Sequence, residues 1–142
     1  MRVLAVDFGE KRIGLAVSDE TGEIVVGVGV VFRRSDAQAA AEVTAAARER
    51  EVGLLVVGLP VRPDDGSDSP FASRARNFAR RLAEASGLPV ELHGEALTSH
   101  SAEGALRETG CSRDRRRSAL DAEAAAGILR DWLSSRPRGG AD

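Results

Sequence analysis

The sequence is poor in cysteine, aromatic rings and lysine, and each shortage removes a class of protein. Cys111 is the only cysteine among 142 residues. A lone thiol closes no intramolecular disulfide and offers no cysteine cluster to a metal. That usage suits a reducing compartment, so a cytoplasmic protein is expected. The N-terminal run Met1–Val6 meets an acid at Asp7, too early for the apolar core of a secretory signal. No apolar stretch approaches the roughly 20 residues that span a bilayer, and no membrane partner is expected. Aromatic residues make up 4% with no tyrosine, which argues against a base-stacking sheet of the RRM type. The formal net charge is −2, so global charge does not announce a polyanion binder.

What is present is arginine, in clusters. Lys11 is the only lysine among 20 basic residues. Arg74, Arg76, Arg80 and Arg81 form one group, and Arg113, Arg115, Arg116 and Arg117 a denser one. Such patches hold phosphates while acids elsewhere balance the total. In the Arg113–Arg117 group, like charges this close repel without a counter-charge, which favours phosphate binding over a merely solvated run. Lys11 and Arg12, just past Asp7, are further phosphate candidates, with plain turn residues nearly as good a reading. Any nucleic-acid recognition should then lean on backbone and shape.

Hydrophobic periodicity organises the rest. Residues 3–7, 13–18 and 24–31 are apolar runs with glycine-bearing turns between them, a three-stranded antiparallel meander. Ser35 or Asp36 can cap a helix running to about Arg50, stopped by Gly53, and Leu54–Val57 reads as a buried strand. Leu59–Ser69 is rich in proline, glycine and aspartate and reads as a loop. Ser69-Pro70 starts a helix that ends near Gly87, and Leu88–Leu92 is the next strand. Helices are expected over Thr98 to Thr109 and Ser118 to Ser134. The order β-β-β-α-β-α-β-α-α gives an α/β fold, a five-stranded mixed sheet with helices on both faces. One domain over residues 1–136 accounts for the chain, with a fraying tail at 137–142.

Three acids stand where folding does not need them. Asp7 closes the first strand, and Glu95 follows the Leu88–Leu92 strand by a few residues. If those strands run parallel, both acids lie at carboxyl ends, where ligand crevices form. Asp121 shares a helical face with Ala125, Ile128 and Trp132, so it heads a stripe that must pack on the sheet. A carboxylate there is costly without a cation or hydrogen-bond partners. Glu123, beside Gly127 and Arg130, looks solvated. Converging carboxylates suit Mg²⁺ or Mn²⁺, and two such ions support phosphodiester cleavage. Against this, Asp7 can cap a turn, Glu95 can sit in solvent and Asp121 can cap its own helix.

Longer blocks add a resemblance. Asp7-Phe8-Gly9-Glu10-Lys11-Arg12-Ile13-Gly14-Leu15-Ala16-Val17-Ser18-Asp19 resembles the opening signature of the YqgF/RuvX family. Val56-Val57-Gly58-Leu59-Pro60, Gly66 and Arg74–Ala79 resemble its middle block. Glu95-Ala96-Leu97-Thr98-Ser99 and Leu120–Ala126 resemble the last two, in order. The resemblance covers nearly the whole chain. It implies an RNase H-like fold and a metal-dependent nuclease acting on Holliday junctions or on the 5′ end of precursor 16S ribosomal RNA. Carried over by position, the family's acids fall on Asp7, Glu95 and Asp121, the implied catalytic and metal-binding set. The partner is then branched DNA or precursor rRNA, and the protein a monomer or a homodimer. One block departs: the family's Asp-Glu-Arg reads Gly94-Glu95-Ala96 here, without the guanidinium fork. That departure keeps a rival reading open, a non-catalytic nucleic-acid-binding module of the same fold. His93, His100 and Cys111 read as incidental, and Thr98 and Ser99 as helix caps.

Overall fold

The computed structural model describes residues 1–61, 71–96 and 113–135. Strands β1 (Arg2–Phe8), β2 (Arg12–Ser18) and β3 (Val25–Phe32) form an antiparallel meander. Helix α1 (Asp36–Glu49) carries the chain back to β4 (Val52–Val61), which pairs parallel with β1. Helix α2 (Ala72–Ser86) then leads to β5 (Val90–Ala96), parallel to β4. The sheet order is β3-β2-β1-β4-β5, and α3 (Arg113–Ser135) is the last described element. The helix expected over Thr98 to Thr109, most of the loop before α2 and the tail lie outside the described residues.

Strand alternation sorts the core into two faces. Leu4, Val6 and Phe8 of β1, with Leu55, Val57 and Leu59 of β4, pack against Val43 and Ala47 of α1 and Phe78 and Leu82 of α2. The alternate residues Val3, Ala5, Leu54 and Val56 meet Ile128, Leu129 and Trp132 of α3. The mixed sheet with helices on both faces is therefore as the sequence reads. Phe78 is fully buried and stacks on Phe8 at 4.8 Å between ring centroids. Phe78→Ala is expected to cost about 3–5 kcal/mol of stability, seen as a lower denaturant midpoint at unchanged slope.

Element ends differ from the periodicity in ways that have local causes. Ser35, one of the two expected caps, caps α1 and forms a capping box in which Ser35 and Gln38 bond each other's backbone. The helix closes at Arg50, however, because Glu51 takes a left-handed φ of 55°. Gly53 belongs to β4 instead, where an added Cβ would meet Met1 Sδ at 2.7 Å. Both β4 and β5 outrun their apolar cores. Their ladder continues through Leu59↔Gly94, Pro60↔Glu95 and Val61↔Ala96, where Gly94 and Glu95 of β5 continue no apolar run. Glu95 thus lies within β5 rather than beyond it. α3 begins at Arg113, so the arginine cluster forms its first turns rather than a lead-in. Arginine is a good helix former, and the expected starter Ser118 directs its hydroxyl elsewhere.

Candidate functional site

Asp7 follows Val3 and Ala5 in the alternation of β1, so it faces α3 rather than the aromatic core. Its register partner on β2 is Gly14. A Cβ on Gly14 would lie 1.9 Å from the Asp121 carbonyl oxygen. The backbone of α3 therefore rests on the sheet at the point where that side chain is missing. Gly27 on β3 extends the seat, with an added Cβ only 3.0 Å from Ala122 Cβ. These two glycines lower α3 onto the strands and bring Asp121 to Asp7.

Asp121 lies well inside α3, which starts at Arg113, so it does not cap the helix. Ala125, Ile128 and Trp132 of the same stripe are buried, as the helical spacing requires. Glu123 is exposed and pairs with Arg130 at 3.0 Å. Arg12 holds Asp121 in place. Its Nε donates to Asp121 Oδ2 at 2.7 Å, and its Nη2 donates to Ser118 Oγ at 3.2 Å. Arg12 sits two residues before Gly14 on the same face of β2, so this contact follows from strand geometry.

The Asp7 carboxyl is pushed up from 3.8 to about 6, first by burial and then by the charge of Asp121. The native chain therefore binds this proton more tightly than the unfolded chain does. The stabilising contribution of the protonated group is complete below about pH 4 and is lost as pH rises through about 6. At neutral pH the ionised carboxylate costs about 3 kcal/mol. Arg12 is ion-paired at 2.7 Å with Asp121, the charge that raises Asp7. Arg12→Ala is expected to raise the Asp7 carboxyl further, shifting the acid limb of any Asp7-dependent activity to higher pH. It should also cost about 2 kcal/mol of stability through the lost charged hydrogen bonds. Arg12→Lys should fall between, since an ammonium restores charge without the fork.

Glu95 stands opposite Pro60 on β5, and its carboxylate lies outside the described residues. Earlier on β5, Glu91 and His93 both bond to α3. Trp132 Nε1 donates to Glu91 Oε1 at 3.2 Å, and His93 Nε2 lies 2.6 Å from Asp131 Oδ2. His93, incidental in the sequence, thus fastens the edge strand to the helix that carries Asp121. Sequence reasoning also missed the Gly14 seat and the Arg12–Asp121 contact. A glycine inside an apolar strand was the available sign of a close backbone approach.

The other phosphate candidates are scattered. Lys11 is exposed in the β1–β2 turn. Arg74 stacks on Phe71 at 5.0 Å and reaches Glu10 of that turn at 3.6 Å. Arg76, Arg80 and Arg81 are exposed on α2, across the sheet from Asp7. Arg116 is half-buried and Arg117 exposed in the first turns of α3, near Ser118. The side chains of Arg113 and Arg115 lie outside the described residues. Among the described residues no helix is long and apolar enough to cross a membrane.

A mixed sheet in this order, crossed by a helix that sets an acid against the end of the first strand, defines an RNase H-like nuclease fold. Two solved structures match it nearly end to end. They are Thermus thermophilus RuvC in complex with a Holliday junction substrate and the fowlpox virus Holliday junction resolvase. The first superposes with a TM-score of 0.56 at 17% identity, covering 96% of both chains. The second gives 0.55 at 15%, covering 96% of this chain and all of the other. The chain belongs to the RuvX family of nucleases, whose model, described as Holliday junction resolvase, matches residues 1–135. A relative from Anaeromyxobacter dehalogenans strain 2CP-1 is 48% identical over 136 residues, covering 96% of this chain and 98% of its own. Another from Pelotomaculum thermopropionicum is 43% identical over 139 residues, covering 97% and 90%. Both are provisionally named pre-16S rRNA nuclease.

Proposed function

We propose that the chain is a divalent-metal-dependent endonuclease that matures the 5′ end of precursor 16S ribosomal RNA, with Asp7, Glu95 and Asp121 as its catalytic acids. The observation that carries this reading is the Asp7 carboxyl, half-buried on the sheet face that α3 covers and pushed up to about 6 by desolvation and by the charge of Asp121. A fold that holds two like charges together at this cost has a site that a cation relieves. The donor set fits: carboxylate oxygens are hard ligands, suited to Mg²⁺ or Mn²⁺. Bound there, such ions supply an activated water and stabilisation of the leaving oxygen. Asp7 and Asp121 would hold them, with Glu95 completing the set from β5. Arg12 orients Asp121, and the exposed arginine at the start of α3 binds the substrate backbone. The substrate reading rests on the names of relatives that match nearly the whole chain.

A second reading, resolution of Holliday junctions, is favoured by the family's description and by the RuvC complex with that substrate. Paired cuts in opposed strands would require two copies of the site, so this activity predicts a dimer. The test is cleavage of a labelled precursor 16S leader and a labelled four-way junction, side by side, with Mn²⁺, Mg²⁺ or EDTA. Metal-dependent cutting of the leader at the mature 5′ end supports the first reading. Paired cuts confined to the junction support the second. Binding of both substrates without cutting would leave the non-catalytic module.

A further inference from the structure

Phe32 is a large ring left in solvent beside the Arg12–Asp121 pair. It ends β3 with 55% of its surface exposed, although β3 is otherwise a valine-rich strand. Its register partner is Arg12, so ring and guanidinium rise from the same face of the sheet. The Arg12 guanidinium carbon sits 4.9 Å from the ring centroid while its Nε bonds Asp121. Ring, guanidinium and carboxylate therefore form one continuous row, with Phe32 at the solvent end. The backbone under the ring is fixed. Gln38 Nε2 donates to the Phe32 carbonyl at 2.9 Å, and the next residue, Arg33, donates its N–H to Lys11 O at 2.8 Å. Ser118, the other partner of Arg12, adjoins exposed Arg117, which brings cationic charge to the same end of the sheet.

We propose that Phe32, backed by Arg12, is the stacking platform for an unpaired nucleobase of the substrate, placed next to the phosphate to be cut. This rests on the nuclease reading above and narrows its substrate to nucleic acid with an unstacked nucleotide at the cleavage point. An aromatic face accepts any base, so the platform reads strandedness rather than sequence. A fully paired duplex keeps its bases stacked internally and cannot use it. The ring is not part of a base-reading sheet of the RRM kind. It is one aromatic residue at a strand end, which low aromatic content does not exclude.

The test measures binding in an Asp7→Asn background, where cutting does not interfere. The probes are a single-stranded RNA carrying 2-aminopurine and a perfect RNA duplex of equal length. Stacking of the probe base on Phe32 should quench its fluorescence. Phe32→Leu is expected to weaken single-strand binding roughly tenfold, abolish the quench and leave duplex binding unchanged. Phe32→Trp should restore both affinity and quench, with melting temperatures confirming that each variant folds. Equal loss on single strand and duplex, or an intact quench in Phe32→Leu, would overturn the proposal. Because the readout is binding, the platform can fail while cutting stands, and cutting can fail while the platform stands.

Discussion

Gly14→Val is expected to destabilise the protein by more than about 3 kcal/mol and to abolish cutting. The new Cβ would fall 1.9 Å from the Asp121 carbonyl oxygen, and the obstacle is helix backbone rather than a movable side-chain end. Overpacking a well-filled core already costs about 1–3 kcal/mol when side chains can shift. Here the whole of α3 must lift, which breaks the contacts of Ile128, Leu129 and Trp132 with β1 and β4. Asp121 moves with the helix, so the charge set against Asp7 is lost even in molecules that stay folded. Gly127→Ala is the control. An added Cβ there meets nothing within 4 Å, and alanine in place of glycine in a helix should stabilise by up to about 1 kcal/mol. Thermal melts and cleavage rates on the two variants measure both effects. A Gly14→Val protein that melts and cuts like the parent would show that α3 does not bear on this point of the sheet.

Asp7→Asn is expected to act in opposite directions on stability and on activity. Replacing the half-buried carboxylate by an amide of the same shape removes the charge that desolvation and Asp121 both disfavour. In EDTA at pH 8 the variant should be more stable than the parent by up to about 3 kcal/mol. The difference should close near pH 4, where the parent carboxyl is protonated. Cutting should fall at least about a thousandfold, as when a member of a catalytic set is removed. Gain of stability with loss of function marks a group kept for chemistry rather than for folding. Denaturant titrations at pH 4 and pH 8, with cleavage assays on the same samples, test both halves. Equal stability of parent and variant at both pH values would contradict the raised Asp7 carboxyl.

How legible this was in the sequence varied with the physics involved. The meander, both packed faces and the buried stripe below Asp121 follow from periods of 2.0 and 3.6, which hydrophobic residues report directly. Strand β5 was misplaced because its pairing with β4 runs through Gly94 and Glu95, and ladder hydrogen bonds leave no mark on residue type. The start of α3 was misplaced because five arginine-rich residues read as a charge cluster before they read as helix. The acids were visible as carboxylates out of place, yet what joins two of them was not. Arg12 meets Asp121 across 109 residues of chain, and Gly14 acts through a side chain it lacks. Contacts of that kind exist only once the sheet and helix have been assembled.

The most direct test of the metal-site assignment is calorimetric titration of Mn²⁺ into the protein without nucleic acid, at pH 6 in buffers of different ionisation heat. The parent should bind with release of protons, because ion binding displaces the proton held by the raised Asp7 carboxyl. Asp7→Asn should bind far more weakly and release none. Binding by the variant equal to that of the parent, or no binding by the parent at millimolar Mn²⁺, would contradict the account.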